Sequence, residues 1–432
     1  MLEIKKINSF FKNKFYIFIS IIPFTQFTGP FLPDLIISIT SIIFLYLFIY
    51  EKDYKKEYYK KIFFIIILFY LLIILSSLQS LYPSHSLSTS IPYLRFLVFP
   101  FAFLYFFYDN FNSKIKIFFY ISLLSIAFVS ITVIIEFINH FYFVTDLSEK
   151  KIRFTGIFFA EKRSGFFLLI YLIICMAYFF NFKKIRLSKY YLILIFCITL
   201  FSIMLSGERI LFFYLILYIL FNLILLIINK KFKIITIFVS AILLLVITLS
   251  YFNNPFLKRL STLQDSLGFD TKIKIEKNFS FSNNILNNFY KTDKGYIGIW
   301  KTTFYNIKKN NNLFIGNGPN NYRKFCKIHT DINSFYINET ICRVHPHNFF
   351  LQLIFEVGII AIILFYLILF YFANLPKKDF NFLNSGPQLL LYSIFFPFLG
   401  TFNFFNNWTS THIWVLVAVV YIIRVKKLNL PN

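Results

Sequence analysis

Two histidines lie close together in the C-terminal quarter of the chain, directly before a long apolar run. Residues 342–365 read CRVHPHNFFLQLIFEVGIIAIILF. Asn348 is a favourable N-cap, which predicts that a helix begins at Phe349 and leaves His345 and His347 just outside its N-terminus. The partial positive charge at that end disfavours an imidazolium, so a histidine there stays neutral at pH 7, while free backbone N–H groups favour a nearby anion. The pattern predicts a proton acceptor beside an anion-binding site.

The predicted helix carries one polar stripe. Asn348, Gln352 and Glu356 follow at intervals of four residues, which places them on the same helix face. Glu356 would lie about 12 Å along the helix axis from Asn348. A carboxylate inside a membrane is costly and usually faces a bundle interior or a wet cavity. Two interpretations stay open: a functional cluster that includes Glu356, or a buried hydrogen-bonded stripe beside ordinary loop histidines.

Arginines lie in two further short segments. LSGERIL at 205–211 places Glu208 and Arg209 in a short turn between two apolar runs. A guanidinium there is suited to bidentate phosphate binding, although the pair could also anchor a hairpin at the membrane interface. RFTGIFFAEKRSGFFLLIY at 153–171 brings Arg153 and other charged residues towards the membrane. A plain basic loop would explain this second segment equally well.

The four cysteines divide between apolar runs and a polar loop. Cys326 and Cys342 lie in the polar loop, where an oxidising compartment permits a disulfide. That bond would close a loop of about 15 residues, worth roughly 3 kcal/mol in the chain-entropy model, and would brace the segment leading into the histidines. The spacing of cysteines and histidines does not resemble a zinc site, so no metal is expected.

The composition predicts an all-α polytopic integral membrane protein. Of the 432 residues, 58% are hydrophobic and 22% aromatic, whereas a soluble domain is roughly 45–50% apolar. The apolar residues fall in blocks of about 17–25, the length that crosses a bilayer. The net charge of +25 accompanies an excess of Phe, Ile, Asn and Tyr. Such joint enrichment is typical of an AT-rich genome, so no nucleic-acid partner is expected.

About twelve membrane-spanning helices are predicted, with a long periplasmic loop before the tenth. The segments assigned to the cytoplasm hold 23 of the 44 Lys and Arg residues, whereas the outer segments 28–34 and 79–91 hold none. By the positive-inside rule both termini then lie in the cytoplasm, and the lysine-rich start precedes a retained first helix. The predicted spans are 15–28, 34–50, 62–79, 92–108, 115–138, 164–181, 190–206, 209–229, 233–252, 348–373, 387–404 and 408–424.

The spans divide the chain into three regions. Residues 1–252 hold nine predicted helices, 253–347 form the long periplasmic loop, and 348–432 hold three helices and a cytoplasmic tail. Within the loop, 299–326 has helical spacing of apolar residues followed by a Gly-rich turn, whereas a disordered insertion explains 265–295 equally well. The arginines and histidines singled out above all fall on the outer face. Because the periplasm has no ATP, the substrate must arrive activated, and a lipid diphosphate-linked sugar meets this requirement.

HPHNFFLQLIFEVGII resembles the signature of the O-antigen ligase family of bacterial membrane glycosyltransferases. In that signature a His followed by Asn, Ser or Gln is separated by nine residues from a Gly, as in His347, Asn348 and Gly358. Ala361 stands where the family commonly has another Gly. LSGER, RFTGIFFAEKRSG, GNGPNNYRKFC and FFPFLGTFNFFNNW also resemble family segments in the expected order. The likeness covers roughly residues 90–424 as one domain.

The resemblance implies a metal-independent, inverting transfer without a cofactor, on the periplasmic face of the bacterial inner membrane. A glycan would move from undecaprenyl diphosphate to an acceptor hydroxyl, most directly on lipid A-core. His347 would be the general base, and Arg209 would bind the donor diphosphate. The family also uses an arginine from the long loop, for which Arg259 is the candidate, and Arg153 is a further possible phosphate contact.

His345, Asn348 and Glu356 are expected to bind or orient substrates beside this centre. Two alternatives remain. A repeat-unit polymerase would use the same donor but take a second lipid-linked glycan as acceptor. A transporter or flippase for lipid-linked sugars would instead place charged or broken helices at the bilayer midplane.

Overall fold

In the computed structural model, the described residues form helices, turns and loops. Arg259 and the predicted ninth span, 233–252, lie outside the described residues, as do residues 265–294 of the segment that an insertion could explain. The described residues are 13–50, 57–143, 153–158, 163–181, 189–228, 295–309, 312–329, 342–373 and 386–428.

Helices predicted as membrane spans account for most of the described chain. Two short 3₁₀ turns, Gln26–Thr28 and Gly156–Phe158, accompany them. The helices that the structure describes are α1 (13–20), α2 (Ile22–Thr25), α3 (Phe31–Tyr50), α4 (Glu57–Leu78), α5 (Pro83–Tyr108), α6 (Phe111–Phe143), α7 (Ser164–Asn181), α8 (Lys189–Leu205), α9 (Arg209–Ile228), α10 (Gly295–Lys309), α11 (Tyr322–His329), α12 (Phe349–Val357), α13 (Ile359–Ala373), α14 (Gly386–Ile394) and α15 (Asn407–Leu428).

The described helices are those of a multi-pass membrane protein. Among them, α3, α5, α6 and α15 are long and apolar enough to cross a bilayer, and shorter apolar helices lie within α4, α7, α8, α9 and α13. Helices α3 to α9 match the predicted second to eighth spans, although α5 begins at Pro83, nine residues earlier than predicted. The predicted first span is divided at Ile21, just before Pro23.

Helices α5 and α15 form the centre of the bundle. They pack against each other, and α5 also packs against α3 and α4. The Trp414 indole donates a hydrogen bond to the Tyr93 hydroxyl at 3.2 Å, and both side chains are buried. The Tyr93 hydroxyl in turn donates to the Phe404 carbonyl at 3.3 Å. Tyr93 of α5 therefore ties the segment between α14 and α15 to the centre of the bundle.

The predicted tenth span, 348–373, is two helices rather than one. Helix α12 ends at Val357, Gly358 has φ +96°, and α13 begins at Ile359. Gly358 can adopt this left-handed conformation because it lacks a Cβ. The Ile359 N–H then donates to the Leu313 carbonyl at 2.9 Å, outside the helix. The prediction of a continuous span was wrong because it treated Gly358 as an ordinary apolar position.

The predicted eleventh span, 387–404, is helical only in α14, which ends at Ile394. Residues 395–406 form turns and loop, a segment called the re-entry loop below. Pro397 has no backbone N–H to donate, and Gly400 is a poor helix former, so the helix stops before them. The carbonyls of Pro397 and Leu399 accept hydrogen bonds from Asn348 instead. A straight span was therefore the wrong prediction here.

Candidate active site at the histidine loop

Asn348 joins the histidine loop, residues 342–348, to helix α12. Its carboxamide oxygen accepts a hydrogen bond from the Leu351 N–H at 2.9 Å, so the helix begins at Phe349 with a side-chain N-cap. Its amide nitrogen donates to the carbonyls of Pro397 and Leu399 at 2.8 and 3.0 Å. Asn348 is buried, and its two polar atoms fix the helix start against the re-entry loop.

His347 lies in the left-handed backbone region, with φ +53°. A residue other than glycine is held there at a cost of about 1–3 kcal/mol, which is found mainly where the surrounding structure imposes it. The His347 carbonyl accepts a hydrogen bond from the Thr401 N–H at 2.9 Å, which helps to impose this conformation. Its partly exposed ring lies 5.7 Å from the ring of Tyr296 and 4.1 Å from the ring of His345, between centroids.

His345 packs behind His347. Its Nε2 lies 3.4 Å from the Thr401 carbonyl oxygen, and because a carbonyl only accepts, this contact requires the hydrogen on Nε2. Both histidines are neutral at pH 7. Burial lowers the pKa of His345 to about 3, helped by the charges of His347 and Arg163, although the Thr401 carbonyl works in the opposite direction. Burial, with the positive charge of Arg343, lowers the pKa of His347 to about 4.

The start of helix α9 lies beside the histidine loop, and Gly400 stands between them. A Cβ on Gly400 would lie 3.5 Å from the His347 carbonyl oxygen and 3.8 Å from the side chain of Ile210. The Tyr214 hydroxyl donates to the Gly400 carbonyl at 3.1 Å. Arg209 is the first residue of this helix. The backbone of Arg209 and that of His347 therefore flank the same short piece of the re-entry loop.

Glu208, directly before Arg209, caps a different helix. Its Oε1 accepts a hydrogen bond from the Gly165 N–H at 2.9 Å at the start of α7, where a carboxylate also meets the positive end of the helix dipole. Burial raises the pKa of Glu208 to about 8, although this hydrogen bond and the charges of Arg153 and Arg163 lower it. The structure thus brings together the two arginine-containing segments that the sequence showed separately, with Arg153 close to Glu208.

The polar stripe of helix α12 is buried and hydrogen-bonded. The Gln352 amide nitrogen donates to Glu356 Oε2 at 3.0 Å and to Asn403 Oδ1 at 2.7 Å. The Gln352 oxygen accepts from the Phe404 N–H at 3.0 Å. Gln352 and Glu356 have no exposed surface. This geometry favours a buried hydrogen-bonded stripe over a Glu356 carboxylate that faces a wet cavity.

The Gly-rich turn at 312–321 closes the far end of α12. The Asn317 N–H donates to the Phe355 carbonyl at 2.9 Å, and the Gly318 N–H donates to the Glu356 carbonyl at 2.8 Å. These bonds satisfy carbonyls that a helix C-terminus leaves without intrahelical partners. A Cβ on Gly316 would overlap the backbone of Glu356, so only glycine allows this approach. Helix α12 is thus fixed at both ends.

Cys326 and Cys342 are joined by a disulfide in the structure, with their Cα atoms 5.6 Å apart. The bond connects helix α11 to the first residue of the histidine loop, and both cysteines are buried. Within the described residues, no group of three or more His, Cys, Asp and Glu side chains has an arrangement that could hold a metal ion.

Sequence reasoning missed the re-entry loop and Tyr296 as parts of the site. Thr401 and Asn403 hold the histidine loop and Gln352, yet both were placed in a transmembrane helix. The density of Pro, Gly and Asn in FFPFLGTFNFFNNW was a loop signal that could have identified them. Tyr296 is at the beginning of an amphipathic helix, and nothing in its local pattern points to His347.

The fold and the site define a multi-pass helical membrane protein with a pair of neutral histidines in ring contact at a helix start. The family model described as O-antigen ligase matches residues 194–366, from within helix α8 to within α13. The matched region contains Arg209 and the whole histidine loop. Over this region the chain is similar to the O-antigen ligase family, which supports an O-antigen ligase-like membrane protein. Among curated proteins, none matches the chain.

Proposed function

We propose that this protein transfers a glycan from a lipid diphosphate, undecaprenyl diphosphate in a bacterial inner membrane, to an acceptor hydroxyl on the periplasmic face. The observation that carries the proposal is His347: a neutral, partly exposed imidazole in a constrained backbone conformation, beside the start of the helix that Arg209 begins. A neutral imidazole accepts a proton at pH 7, and an arginine at the start of the adjacent helix suits an anionic leaving group.

In the proposed reaction, His347 takes the proton of the acceptor hydroxyl as its oxygen attacks the anomeric carbon of the donor sugar. The new C–O bond forms on the face opposite the leaving group, so the anomeric configuration inverts. The bond from the anomeric carbon to the diphosphate oxygen breaks, and its electron pair leaves with the diphosphate. Arg209, with Arg259 and Arg153 as further candidates, stabilises that charge. His345 orients the His347 ring, and no step needs a metal or cofactor.

An apolar groove of about 310 Å³ supports a lipid-linked donor. It is bounded by Phe221 of α9, Tyr366 of α13, and residues 395–397 of the re-entry loop. The Pro397 carbonyl accepts a hydrogen bond from Asn348, so the groove adjoins the histidine loop. At a rise of about 1.5 Å per residue, Phe221 lies roughly 18 Å along α9 from Arg209. A polyprenyl chain in this groove would carry its diphosphate towards Arg209.

The acceptor is tested by reconstituting the full chain in liposomes with a lipid diphosphate-linked glycan and lipid A-core. We expect the glycan on the lipid A-core, as a ligase produces, and a reaction without lipid A-core serves as the control. Longer glycans on the carrier lipid in both reactions would identify a repeat-unit polymerase. Translocation of intact donor without any new glycosidic bond would contradict the proposal and favour a transporter.

A further inference from the structure

A polar cavity of about 670 Å³ opens beside the histidine loop. Its wall combines residues of α5, the start of α11, the histidine loop through Val344, and the segment 403–408. It shares no lining residue with the apolar groove proposed for the donor lipid. An apolar groove and a polar cavity therefore both adjoin the histidine loop. The function proposed above assigns a ligand to the groove but not to the cavity.

The neutral part of the wall matches carbohydrate chemistry. The side chains of Asn320, Asn403, Asn406 and Asn407 line the cavity together with Trp408. A carboxamide carries both donors and acceptors, as sugar hydroxyls require. Trp presents a broad apolar face with a polar N–H at one edge. The Gln352 amide nitrogen donates to Asn403 Oδ1 at 2.7 Å, so the orientation of the Asn403 side chain is fixed before a ligand binds.

The charged part of the wall is cationic. Arg95 forms an ion pair with Asp34, whose carboxylate accepts a hydrogen bond from Arg95 Nη2 at 2.8 Å, so this pair has a net charge close to zero. Arg163 donates to the Asn406 and Thr409 side chains at 3.1 Å. Arg323 and Lys324 are exposed at the start of α11, and no carboxylate is among the described residues of the wall. The cavity therefore favours a ligand with negative charge.

The cavity is also tied to the proposed base. Val344 lies three residues before His347, and the disulfide between Cys326 and Cys342 joins helix α11, with its two cations, to the same loop. The cavity therefore reaches the loop that carries the proposed base. The apolar groove and the start of α9 serve the donor on a separate set of elements.

We propose that this cavity binds the acceptor, and that the acceptor is a carbohydrate carrying a carboxylate or phosphate group. That the bound carbohydrate is the acceptor rests on the proposed function. That the cavity binds an anionic carbohydrate is independent of it. Arg323 and Lys324 contact the anionic group, and the asparagines with Trp408 contact the sugar rings.

Binding is measured by titration calorimetry on the full chain in lipid nanodiscs with three probes: trigalacturonate, phosphorylated maltotriose and plain maltotriose. We expect at least one acidic probe to bind at least tenfold more tightly than maltotriose, and the two acidic probes distinguish a carboxylate from a phosphate. The double variant Arg323→Gln, Lys324→Gln should weaken that binding about tenfold or more, because each charge-assisted hydrogen bond is worth roughly one decade. Lys308→Gln, an exposed cation of the same predicted loop but outside the cavity, is the matched control and should bind as the unaltered chain does.

Three results would overturn the proposal: equal binding of acidic and neutral probes, undiminished binding by the double variant, or displacement of the acidic probe by inorganic pyrophosphate at equal affinity. The last result would assign the cavity to the donor diphosphate. The His347→Ala variant separates this proposal from the function above. It should keep its affinity for the acidic probe even though it cannot transfer, so a failure of catalysis and a failure of the cavity assignment give different outcomes.

Discussion

His347 and His345 differ in what their surroundings leave them able to do. His345 is packed against the Thr401 carbonyl, which fixes its Nε2 hydrogen. His347 makes its hydrogen bond to the re-entry loop through its backbone carbonyl, so the ring is held by packing against His345 and Tyr296. The backbone therefore positions His347, while the ring stays available for proton transfer.

The first prediction concerns pH. Because burial and Arg343 lower the pKa of His347 to about 4, transfer activity should persist below pH 6 and fall as the pH drops through about 4, when the imidazole becomes charged. Arg343→Gln removes a positive charge that opposes protonation, so this acid limb should move to higher pH by a fraction of a unit. The measurement is kcat/KM for transfer as a function of pH.

Lys308→Gln is the control for this experiment, because Lys308 is also an exposed cation of the predicted long loop. Its acid limb should coincide with that of the unaltered chain. An acid limb near pH 6.5 that does not respond to Arg343→Gln would show that His347 is not the titrating base.

Residue identity was easier to predict than residue partners. The N-cap role of Asn348 followed from its type and from the apolar run after it, and the structure confirms that helix α12 begins at Phe349. The partner of Glu208 did not follow, since Gly165 lies 43 residues away in the chain. Local patterns contain no information about which helix start a carboxylate will cap, because that depends on how α7 packs near the turn before α9.

At the scale of elements, the nine residues between Asn348 and Gly358 are the nine residues of helix α12. The spacing of the family signature thus has a physical meaning in this chain: an N-cap, a short helix, and a glycine that ends it. The short helix presents its start to the histidine loop and its end to the Gly-rich turn. A helix that continued through residue 358 would bond the Ile359 N–H within the helix, and Ile359 could no longer bond to Leu313.

Gly358→Ala should therefore destabilise the protein more than a left-handed backbone alone explains. A Cβ at this position would overlap the Phe314 carbonyl, and the positive φ adds strain of about 1–3 kcal/mol. Gly29→Ala is the matched control, because Gly29 has φ +104° but no heavy atom within 4 Å of its Cβ position. Thermal unfolding in detergent should give a larger fall in Tm for Gly358→Ala. Equal falls would mean that contact with the Gly-rich turn does not limit this position.

The length of the apolar runs predicted the helices well, but it did not predict where a helix is interrupted within such a run. Helix α7 has the predicted bounds, 164–181, because a polar segment borders its apolar run on each side. The break at Gly358 was missed because its neighbours are as apolar as a span, and the re-entry loop was missed because its Pro, Gly and Asn residues stand among many aromatic ones. What stops these helices is hydrogen bonding to distant loops, which Asn348 and Leu313 provide. Such tertiary partners are absent from any local window.

At the scale of the whole molecule, both proposed binding regions adjoin one loop at one end of the bundle. The apolar groove reaches the histidine loop through Pro397, and the polar cavity reaches it through Val344. A lipid-linked donor and a polar acceptor would thus approach His347 along different elements. From the charge distribution in the sequence, this end of the bundle is predicted to lie on the periplasmic side.

That orientation predicts which cysteines a membrane-impermeant maleimide will reach. In a Cys175→Ser, Cys197→Ser background, Lys308→Cys should be labelled in intact spheroplasts because it lies in the predicted periplasmic loop. Ser113→Cys, an exposed position at the start of α6, should be labelled only after lysis. The reverse pattern would contradict the orientation and place the histidine loop in the cytoplasm.

The most direct test of the central claim is the transfer rate of His347→Ala. The purified full chain is reconstituted with a lipid diphosphate-linked glycan and lipid A-core, and the glycosylated product is measured over time. Loss of general-base catalysis should lower kcat by about 10²–10⁴-fold, while the melting temperature and the affinity for the lipid diphosphate donor remain close to those of the unaltered chain. A His347→Ala variant that transfers glycan within threefold of the unaltered rate would contradict the account.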